Sequence, residues 1–393
     1  MPQRPLLSAL VAGLLVSMSA TVCTAADADL PTLIKTIRSV GPKGKNHRQA
    51  SQAWMQLARA DADRLTEILA GMNGAGPLEG NWLRAAVDAI AERHVAGGGR
   101  LPQRALEKFT LDTKNSPRPR RLAYEWIARV DKTASQRLIP RMLNDPSVEL
   151  RRDAVGQLIE RGTKLLEAND KTAAIAVFQS AFAAARDIDQ IDTCVEQLRK
   201  LGQQVDLPAH FGFLMHWKLV SSFDNKDKKG FNVSYPPEEK VDLSVDYDTP
   251  LGTGRWFDHA TSDDYGVVDL TKAIGKHKGS IAYAMAEFDA AEGRPVELRL
   301  GCINANKLWL NGELLTANEV YHASTAIDQY RVRGELKQGR NVILLKICQN
   351  EQTESWAQRW QFQLRVCDPV GTAILSTTRP PTPRGPKEEK TSQ

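Results

Sequence analysis

Two short stretches of the sequence combine a tryptophan with polar side chains in a way that suits a sugar ligand. In RWFDHATSDDYG, Trp256 is followed by Asp258 and His259, and then by Asp263 and Asp264. An aromatic ring can stack on a sugar while carboxylate and imidazole groups bond its hydroxyls, and carboxylates are also the ligands that Ca²⁺ prefers. The stretch predicts a ligand-binding loop or a calcium site. The alternative is a loop in which the tryptophan plugs a sheet edge and the aspartates form turns.

The second stretch is QNEQTESWAQRW, which comes just before a strand. The alternation of apolar and polar residues along that strand places Trp360 in the core. Trp356 precedes the strand, so the alternation does not assign it to the core. We therefore expect Trp356, Asn350 and Glu354 to contact a ligand. Glu351 and Glu354 could act as the two carboxylates of a glycosidase only if their carboxyl groups lie at the required distance, and the sequence does not give that distance.

The sequence carries none of the common catalytic motifs. It has no Gly-x-Ser-x-Gly, His-Glu-x-x-His, P-loop or dinucleotide-binding glycine pattern, and its seven histidines are scattered. Since catalysis needs convergent groups, we predict a non-catalytic binding protein with no cofactor beyond a structural calcium. Two alternatives are a protein-interaction scaffold without a glycan ligand and an enzymatically active accessory protein of polysaccharide degradation.

The N-terminal segment is typical of an exported protein. Residues 1–26 carry one arginine, a short apolar run and small residues, which predicts a signal peptide cleaved near Ala25 or Ala26. Lipidation of Cys23 is the alternative. No other run reaches the ~18 apolar residues of a transmembrane helix, so we expect a periplasmic or extracellular protein. The formal net charge of +5 over 393 residues does not favour a nucleic-acid partner.

The N-terminal half repeats one helical pattern. Arg48, Arg84, Arg121 and Arg152 each precede an alanine by two residues and a bulky apolar residue by six, at intervals of 36, 37 and 31 residues. A period of this length predicts stacked helix pairs, an α-solenoid over residues 27–205. Each arginine is expected to pair with a neighbouring carboxylate; an anion-binding row is the alternative.

The repeats resemble HEAT repeats, most clearly in NDPSVELRRDAVGQLIERG. Asp145 and Pro146 stand at the turn before a helix, Arg151 and Arg152 lie inside it, and Ala154 allows a close helix approach. The resemblance implies a HEAT-like solenoid that contacts a protein partner.

The periodicity changes from 3.6 to 2 near residue 205, and short strands separated by Gly, Pro and Asp then predict an antiparallel β-sandwich over residues 206–375. The motifs LRLGCINANKLWLNG and LKQGRNVILLKICQ resemble the galactose-binding-like jelly roll, found as non-catalytic modules beside secreted polysaccharide-acting enzymes. This resemblance implies a carbohydrate or cell-envelope polymer as ligand, in an exported bacterial protein of α-then-β architecture. Residues 376–393 are rich in proline and charge, which predicts a disordered tail.

The segment NKLWLNGELL predicts a β-hairpin. Asn311 and Gly312 best supply the two positive φ angles of a type I′ turn. Leu308 and Leu310 then face one side and Trp309 the other, so Trp309 is expected to pack as framework rather than to bind a ligand.

Four cysteines remain after the signal segment, and an exported compartment permits disulfides. Cys194 lies on an apolar helical stripe, which suggests a buried free thiol. Cys348 with Cys367 is the pairing that we consider within the β half.

Overall fold

The computed structural model describes residues 29–383. The predicted signal segment 1–26, with Cys23, and the tail residues 384–393 lie outside the described residues. The chain divides into two compact units, one ending at Lys132 and the other beginning at Thr133.

The first unit is helical. Asp29 begins its first helix by accepting a hydrogen bond from the Thr32 N–H at 3.3 Å, and several of its helices open with proline, which suits the first helical turn. The helices are α1 (Leu30–Ile37), α2 (His47–Leu57), α3 (Leu65–Gly71), α4 (Pro77–Ala96), α5 (Gln103–Leu111) and α6 (Pro117–Val130).

Three of the four repeat arginines pair with carboxylates, as predicted. Arg84 and Arg121 both bind Glu125, at 2.8 and 3.2 Å, and Arg152 in the second unit binds Asp189 at 2.6 Å. Arg48 forms no ion pair with a carboxylate of the described residues. The pairs are partly exposed, so each contributes little stability, and they favour the structural interpretation over an anion-binding row.

The second unit begins with further helices: α7 (Ala134–Leu138), α8 (Val148–Glu167), α9 (Lys171–Ala184), α10 (Ile188–Lys200) and α11 (Leu207–Phe211). Ser147 caps α8 through the Leu150 N–H at 3.4 Å, while Asp145 accepts from the Ser147 N–H at 2.7 Å. The apolar faces of α8 to α11 form one cluster with Phe213 and Met215, which follow them in the chain. The change from helix to strand therefore falls inside this compact unit.

The rest of the second unit is antiparallel sheet, as the change of periodicity predicts. Its strands are β1 (His216–Asp224), β2 (Tyr247–Thr249), β3 (Gly252–Gly254), β4 (Phe257–Ala260), β5 (Val268–Asp269), β6 (Ser280–Ala290), β7 (Arg294–Cys302), β8 (Ala305–Leu310), β9 (Glu313–Asn318), β10 (Tyr330–Leu336), β11 (Gly339–Gln349) and β12 (Gln361–Cys367). The short helices α12 (Pro236–Glu239) and α13 (Leu270–Ala273) lie between strands.

The strands form a six-stranded sheet in the order β4-β1-β6-β11-β8-β9, a four-stranded sheet in the order β10-β7-β12-β5, and the small β2-β3 pair. The two larger sheets share one apolar core, to which β1, β6, β8 and β11 contribute from one side and β5, β7 and β12 from the other. The strand β11 is central in its sheet, between β6 and β8. Its apolar run is explained by burial of both faces: Ile343, Leu345 and Ile347 enter the core between the sheets, while Leu344 and Cys348 join the apolar cluster on the opposite face.

The hairpin β8-β9 turns at Asn311 and Gly312, whose φ angles are 53° and 85°. Leu308 and Leu310 enter the core between the sheets, whereas Trp309 packs with Leu344 on the opposite face and is only 6% exposed. The prediction that Trp309 is framework is therefore confirmed.

All four cysteines of the described residues are free and buried. Cys194 lies in the helical apolar cluster, as expected from its stripe. The Cys348–Cys367 pairing is wrong: both thiols are free, and Cys348 packs in the apolar cluster on the outer face of the six-stranded sheet, on the side away from β12.

The C-terminal segment after β12 runs back along the sheet domain. Thr377 N–H donates to the Asp289 carbonyl at 2.9 Å, Arg379 donates to the Phe213 carbonyl at 2.7 Å, and Thr382 bonds Asp206. Residues 376–383, the first part of the segment for which composition predicts disorder, are thus held by hydrogen bonds. Within residues 29–383, no helix combines the length and apolarity needed to cross a membrane.

Candidate functional site

The most exposed large aromatic side chain of the described residues is Trp356, at 57%. It lies in the short 3₁₀ turn Ser355–Ala357, between β11 and β12. Its ring meets the edge of His322 at a centroid distance of 5.3 Å. We call Trp356, His322 and Asn350 the Trp356 surface. Because the contact with His322 is edge-to-face and more than half of Trp356 is exposed, the indole has surface available for stacking on a ligand.

Asn350 connects this surface to the end of β11. It is 1% exposed, and its Oδ1 lies 2.7 Å from His322 Nε2 and accepts from the Gln352 N–H at 3.2 Å. Asn350 Nδ2 donates to Gln352 Oε1 at 2.7 Å. Asn350 therefore fixes the orientation of the imidazole that contacts Trp356. Its own amide is buried and hydrogen-bonded, so it does not bond a ligand directly.

Two further polar groups lie beside Trp356. His322 Nε2 donates to Asn350 Oδ1, so Nδ1 of the neutral ring is an acceptor; it is buried and has no hydrogen-bond partner among the described residues. Glu354 opens the 3₁₀ turn and is exposed. Of the predicted residues, Asn350, Glu354 and Trp356 are thus near one another, with Asn350 acting through His322.

The other predicted residues lie on or next to the edge strand β4. Asp258 and His259 line a cleft of about 460 Å³ together with His216 and Lys218 of β1 and Met285 of β6. We call these five residues the β1–β4 cleft. The cleft combines an apolar thioether with charged and imidazole groups, a mixture that suits a polar ligand carrying some apolar surface.

Charge within the β1–β4 cleft is largely compensated. Lys218 Nζ lies 2.6 Å from Asp258 Oδ1. Burial lowers the pKa of both His216 and His259, and the nearby Arg379 lowers that of His216 further. The imidazoles are therefore neutral near pH 7, and each can both donate and accept a hydrogen bond.

Trp256 does not line this cleft. It packs into the apolar cluster on the outer face of the six-stranded sheet, and its indole N–H donates to the Tyr247 hydroxyl at 3.2 Å. Trp256 therefore has a packing role, as in the alternative interpretation of the sequence, but against the face of the sheet.

The structure does not bring the two predicted groups together. The β1–β4 cleft includes Lys218 near the start of β1, whereas the Trp356 surface follows the end of β11, where Gln349 pairs with Ser280 and Ser280 with Asp224 at the end of β1. Lys218 and Asp224 are roughly 20 Å apart along an extended strand. The two groups are separate surfaces.

The aspartates considered for calcium have other partners. Asp263 Oδ1 accepts from the Tyr265 N–H at 2.8 Å, and Asp264 pairs with Arg199 at 2.8 Å. Among the described residues, no three His, Cys, Asp or Glu side chains gather as metal ligands would. These contacts match the alternative in which the aspartates form turns and ion pairs.

Sequence reasoning missed His322, Lys218 and Met285. His322 lies in a loop with no local pattern, and Lys218 meets Asp258 only because β1 pairs with β4. It also did not predict the strand β10, although Tyr330 and Val332 alternate with Arg331 and Arg333, which is a strand signal.

No protein-family model matches the chain, and no curated protein matches it at a significant level. Solved structures with partial similarity include a β-glucosidase from Kluyveromyces marxianus in complex with glucose, at 14% identity and a TM-score of 0.26, covering 45% of this chain and 21% of that one. A β-glucuronidase from an uncultured Clostridium sp. has 13% identity and a TM-score of 0.22, and the match covers 40% of this chain and 29% of that one. An anti-sigma factor domain-containing protein has 14% identity and a TM-score of 0.23, and the match covers 30% of this chain and 39% of that one. The chain thus spans well under half of each, and similarity at this level establishes neither a shared fold nor a shared activity.

Proposed function

We propose that this is an exported, non-catalytic binding protein whose sheet domain binds carbohydrate or a cell-envelope polymer, while its helical half contacts a protein partner. We include in the proposal a HEAT-like solenoid for the helices and a galactose-binding-like jelly roll for the sheets. The helical period and the WLNG hairpin motif support these two assignments.

Trp356 carries the proposal. A large aromatic ring that is more than half exposed loses hydrophobic stabilisation, which stacking on the C–H face of a sugar restores. Glu354 lies two residues before Trp356 and is exposed, so its carboxylate supplies hydrogen-bond acceptors for sugar hydroxyls. A neutral glycan fits better than a polyanion, because the neighbouring side chains Glu351 and Glu354 are acidic and exposed.

The test is binding to a broad glycan array, followed by calorimetry of the best ligand with the full chain. Trp356→Ala should weaken binding by about 2 kcal/mol or more, as truncation of a central aromatic contact does. Phe257→Ala is the matched control, because Phe257 is also exposed, at 39%, but lies on β4 away from the Trp356 surface.

Asp258→Ala distinguishes the two surfaces, because Asp258 lines the β1–β4 cleft and lies outside the Trp356 surface. Loss of binding in Asp258→Ala with retention in Trp356→Ala would move the glycan to the β1–β4 cleft. Absence of binding on the array would instead favour a protein-interaction scaffold. Export is tested by the N-terminal mass of the secreted protein, which should show cleavage near Ala25 or Ala26.

The proposed protein contact of the helical half has its own test. Met55 of α2 is 51% exposed, an unusual position for a large apolar side chain, and Val130 is 44% exposed. A partner captured by the full chain and lost with Met55→Glu, while glycan binding persists, would support this part. A partner captured equally by the variant would place the contact elsewhere.

A further inference from the structure

A second concave surface lies on the outer face of the four-stranded sheet and has no role in glycan binding as proposed. It encloses about 710 Å³, and its lining includes four arginines, Arg186, Arg299, Arg331 and Arg365, together with four aspartates, Asp187, Asp189, Asp192 and Asp328. We call the four arginines the arginine pocket.

The strand register places three of these arginines side by side. Arg299 on the inner strand β7 is directly opposite Arg331 of β10 on one side and Arg365 of β12 on the other. Like charges directly opposite one another in a sheet destabilise it. A row of three therefore needs compensation by anions.

The carboxylates in contact with the row are fewer than the arginines. Asp328 is shared by all three, at 2.8 Å from Arg299, 2.6 Å from Arg365 and 3.6 Å from Arg331. Although burial opposes ionisation, Arg365 and Arg299 hold the pKa of Asp328 below its ordinary value. Glu297 pairs with Arg299 alone, at 2.8 Å.

Arg186 adds a fourth cation, and no carboxylate of the described residues forms an ion pair with it. Its guanidinium donates to the Thr372 hydroxyl at 3.2 and 3.3 Å and to the Ala183 and Ala185 carbonyls at 3.0 and 2.7 Å. Burial, together with the positive charge of Arg151 and then of Arg365, lowers the pKa of Arg186 to about 10. A partly buried guanidinium beside like charges is costly unless an anion compensates it.

Gly371 marks where the guanidinium groups converge. A Cβ atom at this position would lie 3.3 Å from Arg299 Nη1, 3.6 Å from Arg365 Nη2 and 3.9 Å from Arg186 Cδ. The absence of a side chain at Gly371 thus leaves space directly against three of the four arginines.

The other acids nearby have their own partners. Asp187 and Asp189 pair with Arg152, and Asp192 accepts from the Tyr265 hydroxyl. Asp368 Oδ1, whose charge favours the protonated form of Arg186, accepts the backbone N–H groups of residues 370 and 372. None of these carboxylates forms an ion pair with Arg186.

We propose that the arginine pocket binds a small ligand through an oxyanion group: a phosphate, sulfate or carboxylate. The exposed Arg331 bonds the oxygens with its guanidinium, and Arg186 adds the Nη2 N–H that does not bond Thr372. Arg299 and Arg365, whose donors are occupied by carboxylates and by carbonyls, contribute positive charge next to the ligand. Planar guanidinium groups match such oxygens with paired hydrogen bonds, which a lysine would not reproduce.

The test is calorimetric titration of the full chain with inorganic phosphate, inorganic sulfate and glucuronate in separate experiments, with sodium chloride matching the ionic strength. At least one of the three should bind with a dissociation constant in the millimolar range or below, and the strongest identifies the group. Arg186→Gln should weaken it by about tenfold or more, as expected for losing hydrogen bonds to a charged group.

Arg340→Gln is the matched control, because Arg340 is exposed and pairs with Glu287 on the six-stranded sheet; its affinity should equal that of the natural chain. Arg186→Lys should recover only part of the affinity. If Arg186→Gln does not fold by circular dichroism, Arg331→Gln replaces it, since Arg331 is 59% exposed; it should weaken binding several-fold.

The proposal is overturned if none of the three anions binds, or if Arg186→Gln and Arg340→Gln bind equally well. Trp356→Ala should leave anion binding unchanged, so failure of the glycan proposal and failure of this one give different results.

Discussion

His210 makes the stability of the second unit depend on pH. Its ring packs on Phe182 at a centroid distance of 4.2 Å, and its Nε2 lies 3.2 Å from the Ala185 carbonyl oxygen. Burial, with a further contribution from the positive charge of Arg186, lowers the pKa of His210 to about 4. The imidazole is therefore neutral in the folded protein well below the pH at which a free histidine takes up a proton.

The sign and size of the effect follow from this difference. The unfolded chain binds a proton near pH 6.5, whereas the folded chain binds it only near pH 4. The stability associated with the neutral ring is fully present above pH 6.5, declines as the pH falls, and stops declining below about pH 4. Between about pH 8 and pH 5, the free energy of unfolding should fall by roughly 2 kcal/mol through this residue alone.

The assay is urea denaturation followed by tryptophan fluorescence, at about pH 8 and pH 5, for the natural chain and for His210→Phe. The variant keeps an aromatic ring but cannot titrate, so its loss of stability on acidification should be smaller by roughly 2 kcal/mol. His216 and His259 also have lowered pKa values and contribute to both chains, so only the difference is diagnostic. Equal losses in the two chains, or an NMR titration of His210 near pH 6.5, would refute the reasoning.

Two further substitutions test the packing of the six-stranded sheet by thermal and urea unfolding. Trp309→Ala should cost about 3 to 5 kcal/mol, because it leaves a cavity under the hairpin, and it should leave glycan binding unchanged; a loss below about 1 kcal/mol would contradict the buried position. Lys346 is fully buried, with Nζ 2.7 Å from Glu238, so Lys346→Met should cost about 3 to 5 kcal/mol by leaving that carboxylate unpaired. The double variant Lys346→Met with Glu238→Gln should recover part of this loss, and additive losses would contradict the coupling.

Local patterns predicted much of the fold. The Asn311-Gly312 turn depends on two positive φ angles, and a continuous apolar run such as that of β11 suits a strand that is covered on both faces. Ser147 and Pro146 likewise mark the start of α8 in the sequence. In each case the physical cause lies within a few residues of the effect.

The candidate sites depend on distant partners and were only partly predictable. Trp256 packs against the sheet and donates a hydrogen bond to Tyr247, nine residues before it, and Trp356 contacts His322, more than thirty residues before it. The row of Arg299, Arg331 and Arg365 exists only once the strand register is known. A single sequence does not contain that register explicitly.

The central position of β11 also affects the order in which the chain can fold during synthesis. β6 and β8 are made first, but the strand that joins them in the sheet ends only at Gln349. Until the ribosome has added that strand, both neighbours have an unpaired edge open to solvent, and unpaired edges promote association with other chains. The sheet domain is therefore expected to close late, so nascent chains that end before residue 349 should be the species most dependent on chaperones.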